Sequence, residues 1–187
     1  MSSDFTLMEE AGQFQALMEK AAFTDSDGNT LGYEKGLEEN LTMLESLRDR
    51  GGNLFLVGNG GSAAIASHFS VDLTKNAKVR CVNFNEADLL TCFSNDYGYE
   101  NWVQKALSSY ADKGDLLICI SSSGESKNII NGANFAKKIG CKVITLTGFN
   151  KDNKVRKIGH INLWLDSKNY NFIEMTHHTW LLAIVDL

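Results

Sequence analysis

Residues 53–62 read Asn-Leu-Phe-Leu-Val-Gly-Asn-Gly-Gly-Ser, an apolar run that passes directly into a glycine-rich loop. A helical pattern follows over residues 62–75, so this stretch predicts a strand that turns sharply into a helix. A second unit of this kind lies at residues 115–126, where Asp-Leu-Leu-Ile-Cys-Ile precedes Ser-Ser-Ser-Gly-Glu-Ser. A helix N-terminus offers free backbone N–H groups and the positive end of the helix dipole. Both loops therefore suit a phosphate or another oxygen-rich anion.

The rest of the chain continues the alternation of strand and helix. Strands are predicted at residues 53–57, 79–84, 115–120, 142–146 and 161–165. Continuous apolar strands separated by helices indicate a parallel sheet that is covered on both faces. Two amphipathic helices come first, over residues 4–22 and 33–50, with a turn at residues 25–29 between them. We predict an α/β fold with a doubly wound five-stranded parallel sheet, in which ligands bind at the carboxyl ends of the strands.

The composition excludes several classes of protein. The chain has 187 residues, 43% of them hydrophobic and 22% charged, which argues against disorder and fits one domain. Its formal net charge is −5, so we expect no broad nucleic-acid surface. No apolar run approaches the roughly 20 residues of a membrane span, so we expect no membrane partner. The four cysteines form no CxxC pair, which favours reduced thiols and a cytoplasmic protein. The sequence is still helical in pattern at Leu187, so we expect a short terminal helix there or a chain that continues.

Two pairs of polar residues recur at helical spacing. His68 and Asp72 are four residues apart on the helix after the first loop, and Glu174 and His177 are three apart on the last helix. His178 is expected to point elsewhere. The pairs could converge as a metal site or as an acid–base cluster. Spacing alone favours the simpler alternative, in which His68 makes a structural hydrogen bond and the carboxylates are solvated.

The glycine-rich loop also has simpler interpretations. Gly58, Gly60 and Ala63 fit only a loose form of the dinucleotide fingerprint, and the acidic residue expected about 20 positions later is not evident. A Walker lysine is absent as well. A tight turn that requires glycine therefore stays open as a structural explanation.

Three motifs together resemble the sugar isomerase (SIS) domain and, more narrowly, the phosphoheptose isomerases. They lie at residues 58–69, 94–99 and 121–128, and the similarity covers nearly the whole chain. The resemblance implies a flavodoxin-like sheet, a homotetramer with active sites between subunits, and a sugar phosphate held by the serine loop. We expect a single domain, with residues 1–50 as a helical extension used in oligomerisation and residues 51–187 as the sugar-phosphate-binding core.

The resemblance also implies the site residues. Those expected to bind substrate are Asn59, Gly60, Gly61, Ser62, Asp96, Ser121, Ser122, Ser123 and Ser126. Those expected to be catalytic are Asp72, His68, Glu174 and His177. Zinc is the candidate cofactor, with His68, Asp72 and Glu174 as its ligands.

The match departs from the family at three positions. Asp72 stands where the family has its catalytic Glu, Glu174 where Gln is usual, and Leu182 where a reacting His is expected. We therefore weigh two functions: an aldose–ketose isomerase of the sedoheptulose 7-phosphate type, which is favoured, and a non-catalytic module that binds a sugar phosphate or docks on a protein. A regulatory domain cut from a larger SIS protein is a weaker third. The pathway that the family implies is lipopolysaccharide or capsule sugar synthesis.

Overall fold

A computed structural model describes residues 7–187 of the chain. The strands are β1 (Ala22–Asp25), β2 (Thr30–Leu31), β3 (Asn53–Val57), β4 (Arg80–Asn83), β5 (Leu116–Ser121), β6 (Lys142–Thr147) and β7 (Ile161–Trp164). The helices are α1 (Leu7–Glu19), α2 (Tyr33–Asp49), α3 (Gly61–Lys75), α4 (Ala87–Tyr97), α5 (Trp102–Tyr110), α6 (Lys127–Ile139) and α7 (Tyr170–Asp186). Val155–Lys157 form a single 3-10 turn between β6 and β7. None of the helices within these residues is long and apolar enough to cross a membrane.

The sheet has the strand order β2-β1-β7-β6-β5-β3-β4. Its five strands from β7 to β4 are mutually parallel, which confirms the predicted doubly wound core. The chain goes from β3 to β4 on one side and then returns to β5 on the other side of β3. The strand order therefore reverses between β3 and β5, where a doubly wound sheet leaves a crevice at the strands' carboxyl ends.

The N-terminal part differs from the prediction because it contains a hairpin. β1 pairs antiparallel with both β2 and β7, so the sheet has seven strands and residues 1–50 are not purely helical. The predicted turn at residues 25–29 is the hairpin turn, in which an Asp25 carboxylate oxygen accepts the backbone N–H groups of Asp27 and Asn29 at 2.9 Å each. The predicted start of the first helix at residue 4 lies outside the described residues.

Each face of the sheet buries its own apolar cluster. Leu54 and Leu56 of β3 point to one face, against residues of α2, α3 and α7. Phe55 and Val57 point to the other face, against α5 and α6. Because side chains alternate along a strand, a continuously apolar strand supplies both clusters at once.

The core on the first face extends to the hairpin. Phe23 of β1 is completely buried, and its ring lies 5.6 Å from the Trp180 ring and 5.7 Å from the Tyr33 ring, between centroids. A Cβ on Gly36 of α2 would overlap the Phe23 ring, so the helix sits directly on this side chain. The hairpin is therefore part of the folding unit.

We expect Phe23→Ala to destabilise the fold by about 3–5 kcal/mol, because it empties a buried aromatic site between β1, α2 and α7. Urea denaturation followed by circular dichroism measures this change. Met8→Ala on α1 is the control, since Met8 is 78% exposed. Equal midpoints for the two variants would show that the hairpin does not contribute to the core.

Candidate functional site

A small cavity of about 160 Å³ opens where the loops after β3 and β5 meet. Its walls come from these two loops and from the start of α7. The lining residues are Asn59, Ser62, Ile120, Ser121, Ser122, Ser123, Ser126, Tyr170 and Glu174. The structure thus brings together six of the nine residues predicted to bind substrate, together with Glu174.

Glycines allow the first loop to turn tightly. Gly60 has φ +56°, which disfavours residues with side chains, and a Cβ on Gly58 would lie 2.6 Å from the Ser62 carbonyl carbon. The simpler explanation from the sequence, a tight turn that requires glycine, therefore applies to this loop. Gly60 and Gly61 do not line the cavity, although a Cβ on Gly61 would overlap the Glu174 carboxylate.

Asn59 joins the two loops. Its amide and that of Asn128 in α6 exchange two hydrogen bonds, of 3.0 and 2.8 Å. The Tyr99 hydroxyl donates a third, of 2.9 Å, to the Asn59 side-chain oxygen. This pair of hydrogen bonds fixes the spacing between the loops.

The serine loop presents several groups that can bind an anion. The Ser121 and Ser123 hydroxyls accept the N–H groups of Gly124 and Glu125 at 3.2 and 3.3 Å. The Ser122 hydroxyl is buried and has no partner among the described residues. Ser126 is the N-cap of α6, and its side chain makes no capping hydrogen bond. Because Ser126 lines the cavity, α6 begins at the cavity's edge, where its first N–H groups and the positive end of its dipole lie.

Glu174 supplies the carboxyl group that lines this cavity. It lies on the first turns of α7 with its carboxylate against Gly61, and partial burial raises its pKa above the ordinary value. A carboxyl group whose pKa is raised by burial is a candidate for proton transfer.

A second cluster forms farther along α3 and α7. The Nε2 atom of His178 lies 2.8 Å from the Nδ1 atom of His68, and the Nε2 atom of His68 lies 3.6 Å from an Asp72 carboxylate oxygen. The His68 side chain is 51% exposed and that of Asp72 is 28% exposed. Partial burial and then the neighbouring His68 lower the pKa of His178. Since one ring nitrogen must accept the proton that the other donates, the two imidazoles can pass a proton between them.

The structure reverses the expected positions of the two adjacent histidine side chains. His177 is completely buried, its Nε2 lies 3.3 Å from the Thr147 carbonyl oxygen, and it does not reach the cavity or the His68 cluster. His178, expected to point elsewhere, is the one that contacts His68. Positions four apart on a helix differ by only about 40° around the axis, against about 60° for positions three apart, so His178 shares the face of Glu174 more closely.

The three predicted metal ligands do not form one group, because Glu174 lies apart from His68 and Asp72. Among residues 7–187, no three His, Cys, Asp or Glu side chains form a group that could hold a metal ion. Glu174 is in the serine-loop cavity, whereas His68 lies about 10 Å along α3 from Gly61. His68, Asp72 and Glu174 of one chain therefore do not fit a zinc site, and that prediction is corrected.

Asp96 also lies outside the cavity. It is exposed near the end of α4, where its carboxylate accepts the Asn95 side-chain amide at 2.9 Å. Tyr99 and Tyr170 are the aromatic residues that the sequence did not assign to the site. Tyr99 stands in one of the motifs that carry the resemblance, which was the available signal, whereas nothing local marked Tyr170.

Burial of His177 has a consequence for stability. Burial lowers its pKa from 6.5 to about 4, so the unfolded chain binds a proton at a pH where the folded chain does not. The free energy of unfolding therefore decreases as the pH falls from the unfolded pKa towards the folded one.

Between about pH 7.5 and about pH 5, His177 should lower the parent's free energy of unfolding by about 2 kcal/mol. We expect this contribution to be absent in His177→Gln. Denaturant titrations of parent and variant at both pH values measure this. His160→Gln serves as the comparison, because His160 is only partly buried and burial also lowers its pKa. A decrease of the same size in parent and His177→Gln would contradict a neutral buried His177.

Comparisons with known proteins give one consistent result. The family model of the SIS domain matches residues 34–148. A phosphoheptose isomerase of Aliarcobacter butzleri is 39% identical over 140 residues, which cover 72% of this chain and 73% of that protein. A probable phosphoheptose isomerase of Thermoplasma volcanium is 34% identical over 134 residues, which cover 68% of this chain and 67% of that protein. The structure of a phosphoheptose isomerase from Neisseria gonorrhoeae aligns with a TM-score of 0.82 over 96% of this chain and 92% of that one, at 24% identity, which supports the fold.

Proposed function

Since this chain belongs to the SIS domain family, we propose that it is an aldose–ketose isomerase of the phosphoheptose type that acts on sedoheptulose 7-phosphate. The observation that carries the proposal is the shared cavity: a carboxyl group with a raised pKa, Glu174, lies beside a serine loop suited to phosphate. Curated relatives that carry the name phosphoheptose isomerase support the substrate class.

The serine loop is the proposed phosphate site. Within residues 7–187 the Ser122 hydroxyl has no partner and the Ser126 side chain makes no capping hydrogen bond, and the N–H groups at the start of α6 add further donors. Neutral donors and a helix dipole can bind a phosphate dianion without a nearby cation. Asn59 and Ser62 would then contact the sugar hydroxyls next to the phosphate.

Isomerisation moves protons between two adjacent carbons and their oxygens through an enediol. A base takes a proton from C1 of the ketose, the carbonyl oxygen on C2 gains a proton, and return of a proton to C2 with loss of the C1 hydroxyl proton gives the aldose. We propose Glu174 for proton transfer in the cavity. We propose that His68 and His178, with Asp72 behind them, exchange the protons on the oxygens.

The histidine cluster does not line the cavity of its own chain, and His68 is exposed while Asp72 and His178 are half-buried. The family resemblance implies active sites between subunits of a homotetramer, with the N-terminal helices in the contacts. We propose the same assembly here, in which exposed His68 clusters complete the serine-loop cavities across an interface. Zinc enters no step of this proposal, because the ligands in one chain do not fit it.

We also propose a cytoplasmic compartment and a place in lipopolysaccharide or capsule sugar synthesis. All four cysteines are free, and burial raises the pKa of Cys81 to about 12 and that of Cys141 to about 11. Protonated thiols of this kind suit a reducing environment. The pathway rests on the family resemblance.

A binding protein without turnover is the second candidate. The observation that favours it is Leu182, which follows His178 by one helical turn and cannot transfer a proton. Incubation of the parent protein with sedoheptulose 7-phosphate, followed by NMR with zinc or with a chelator, separates the two functions. An aldoheptose phosphate product supports the isomerase, and ligand-induced shifts without product support the binding protein.

We expect His68→Asn and His178→Asn each to lower kcat by about 10²–10⁴-fold, because each removes one member of the proton-exchanging pair. KM should change much less. His160→Asn is the matched control, since the His160 ring instead accepts the Val143 backbone N–H at 3.0 Å. Parent-like kcat in both cluster variants would exclude the histidine pair from the reaction.

We expect Ser123→Ala combined with Ser126→Ala to weaken sugar-phosphate binding at least about tenfold, since hydrogen bonds to a charged group contribute about 1.5–3 kcal/mol. Isothermal titration calorimetry measures the affinity. Ser108→Ala is the control, because its hydroxyl is exposed on α5 and donates to the Lys105 carbonyl. Unchanged affinity in the double variant would refute the phosphate assignment.

A further inference from the structure

A second cavity, of about 380 Å³, lies between the β1–β2 hairpin and the segment that joins β6 to β7. One wall is residues 24–28, and the other is formed by Lys151, Asp152, Arg156 and Lys157. It shares no lining residue with the serine-loop cavity. The proposed isomerase reaction uses none of these side chains.

Arg156 is a cation held firmly in this wall. It is only 8% exposed, and its guanidinium lies over the Trp164 ring, 4.9 Å from the centroid. Its Nη1 donates to the Lys151 carbonyl at 3.0 Å, and its backbone N–H donates to the Asn153 side chain at 2.9 Å. Burial lowers the pKa of Arg156, but a guanidinium stays charged in proteins.

Most donors of Arg156 are unused. A guanidinium has five N–H groups, and within residues 7–187 only the Lys151 carbonyl accepts one of them. No carboxylate of that part of the chain forms a contact ion pair with it, and the Asp152 charge acts on it only from farther away. None of its nitrogens is both fully buried and without a partner, and Arg156 lines the cavity, so a ligand in the cavity can reach the guanidinium. A buried charge without a partner is costly, and an anion bound here would compensate it.

The other charges of the cavity are mostly paired. Asp25 accepts the backbone N–H groups of its own turn, and the Asp152 carboxylate lies 3.9 Å from the Lys157 ammonium. Among the described residues, Lys151 and Arg156 are then cations of the lining without an ion-pair partner, and Asp25 and Asp27 are carboxylates without one, of which Asp25 is occupied by the hydrogen bonds of its turn. One end of the cavity therefore favours an oxyanion, while Asp27 accepts hydrogen bonds.

We propose that this cavity binds a small metabolite whose phosphate or carboxylate group sits on the Arg156 guanidinium and whose hydroxyl or ammonium groups reach Asp27. A guanidinium fork matches both oxyanions through paired hydrogen bonds. The packing on Trp164 and the bond to the Lys151 carbonyl hold the fork in position before the ligand arrives.

Inorganic phosphate is the probe, titrated calorimetrically into full-length Ser123→Ala/Ser126→Ala protein so that the serine loop contributes little. We expect one phosphate per chain in this background. Arg156→Gln should weaken the binding at least about tenfold, because it removes the charge and the fork. Acetate in place of phosphate distinguishes a carboxylate site from a site that needs phosphate.

Lys154→Gln is the matched control, because this exposed lysine lies in the same segment, pairs with Glu125 at 2.8 Å and does not line the cavity. It removes the same charge and should leave the affinity unchanged. Lys151 is also exposed, and Lys151→Gln should weaken phosphate binding. This variant tests the proposal if Arg156→Gln does not fold. The proposal is overturned if phosphate fails to bind in the serine-loop background, or if the affinity is the same with and without the Arg156 or Lys151 side chain.

Discussion

The parallel ladder between β3 and β5, from Leu54 beside Leu116 to Val57 beside Cys119, places the loops after both strands at one edge of the sheet. The strand that follows β3 in the chain pairs on its far side, so no crossover helix covers the space above β3 and β5. The reciprocal amide hydrogen bonds of Asn59 and Asn128 then hold the two loops at a fixed separation. A shift in this ladder would separate the glycine turn from the serines.

The rotation of α7 about its own axis is the second constraint. Ile173 packs against Gly148, where a Cβ would lie 2.5 Å from the Ile173 Cδ1, and His177 contacts the Thr147 carbonyl. These contacts dock one side of α7 against the end of β6. As a result, other sides of α7 place Glu174 against the serine loop and His178 against α3.

The five parallel strands and both loops were predictable, because each strand is a long apolar run that its own residues identify. β1 and β2 have four and two residues, too few for a period to show, and β1 depends on pairing with a strand more than 130 positions away. The local sequence could not show which of His177 and His178 contacts His68. Which of two adjacent helix positions is buried depends on the elements that pack against the helix. The Arg156 cavity likewise joins two segments that are distant in the chain.

Glu174 has a physical advantage over the Gln that the family resemblance implies at its position. A protonated carboxyl has nearly the shape of an amide and donates a hydrogen bond, so the neutral form can replace Gln. Burial already raises the pKa of Glu174, and a phosphate bound by the neighbouring serines would raise it further by like-charge repulsion. A carboxyl shifted towards neutral pH can both take and return a proton, which an amide cannot do. Asp72 is one methylene shorter than the Glu that the resemblance implies, and Leu182 has no titratable group, so in the proposed reaction the acid–base roles fall to Glu174 and to the His68–His178 pair.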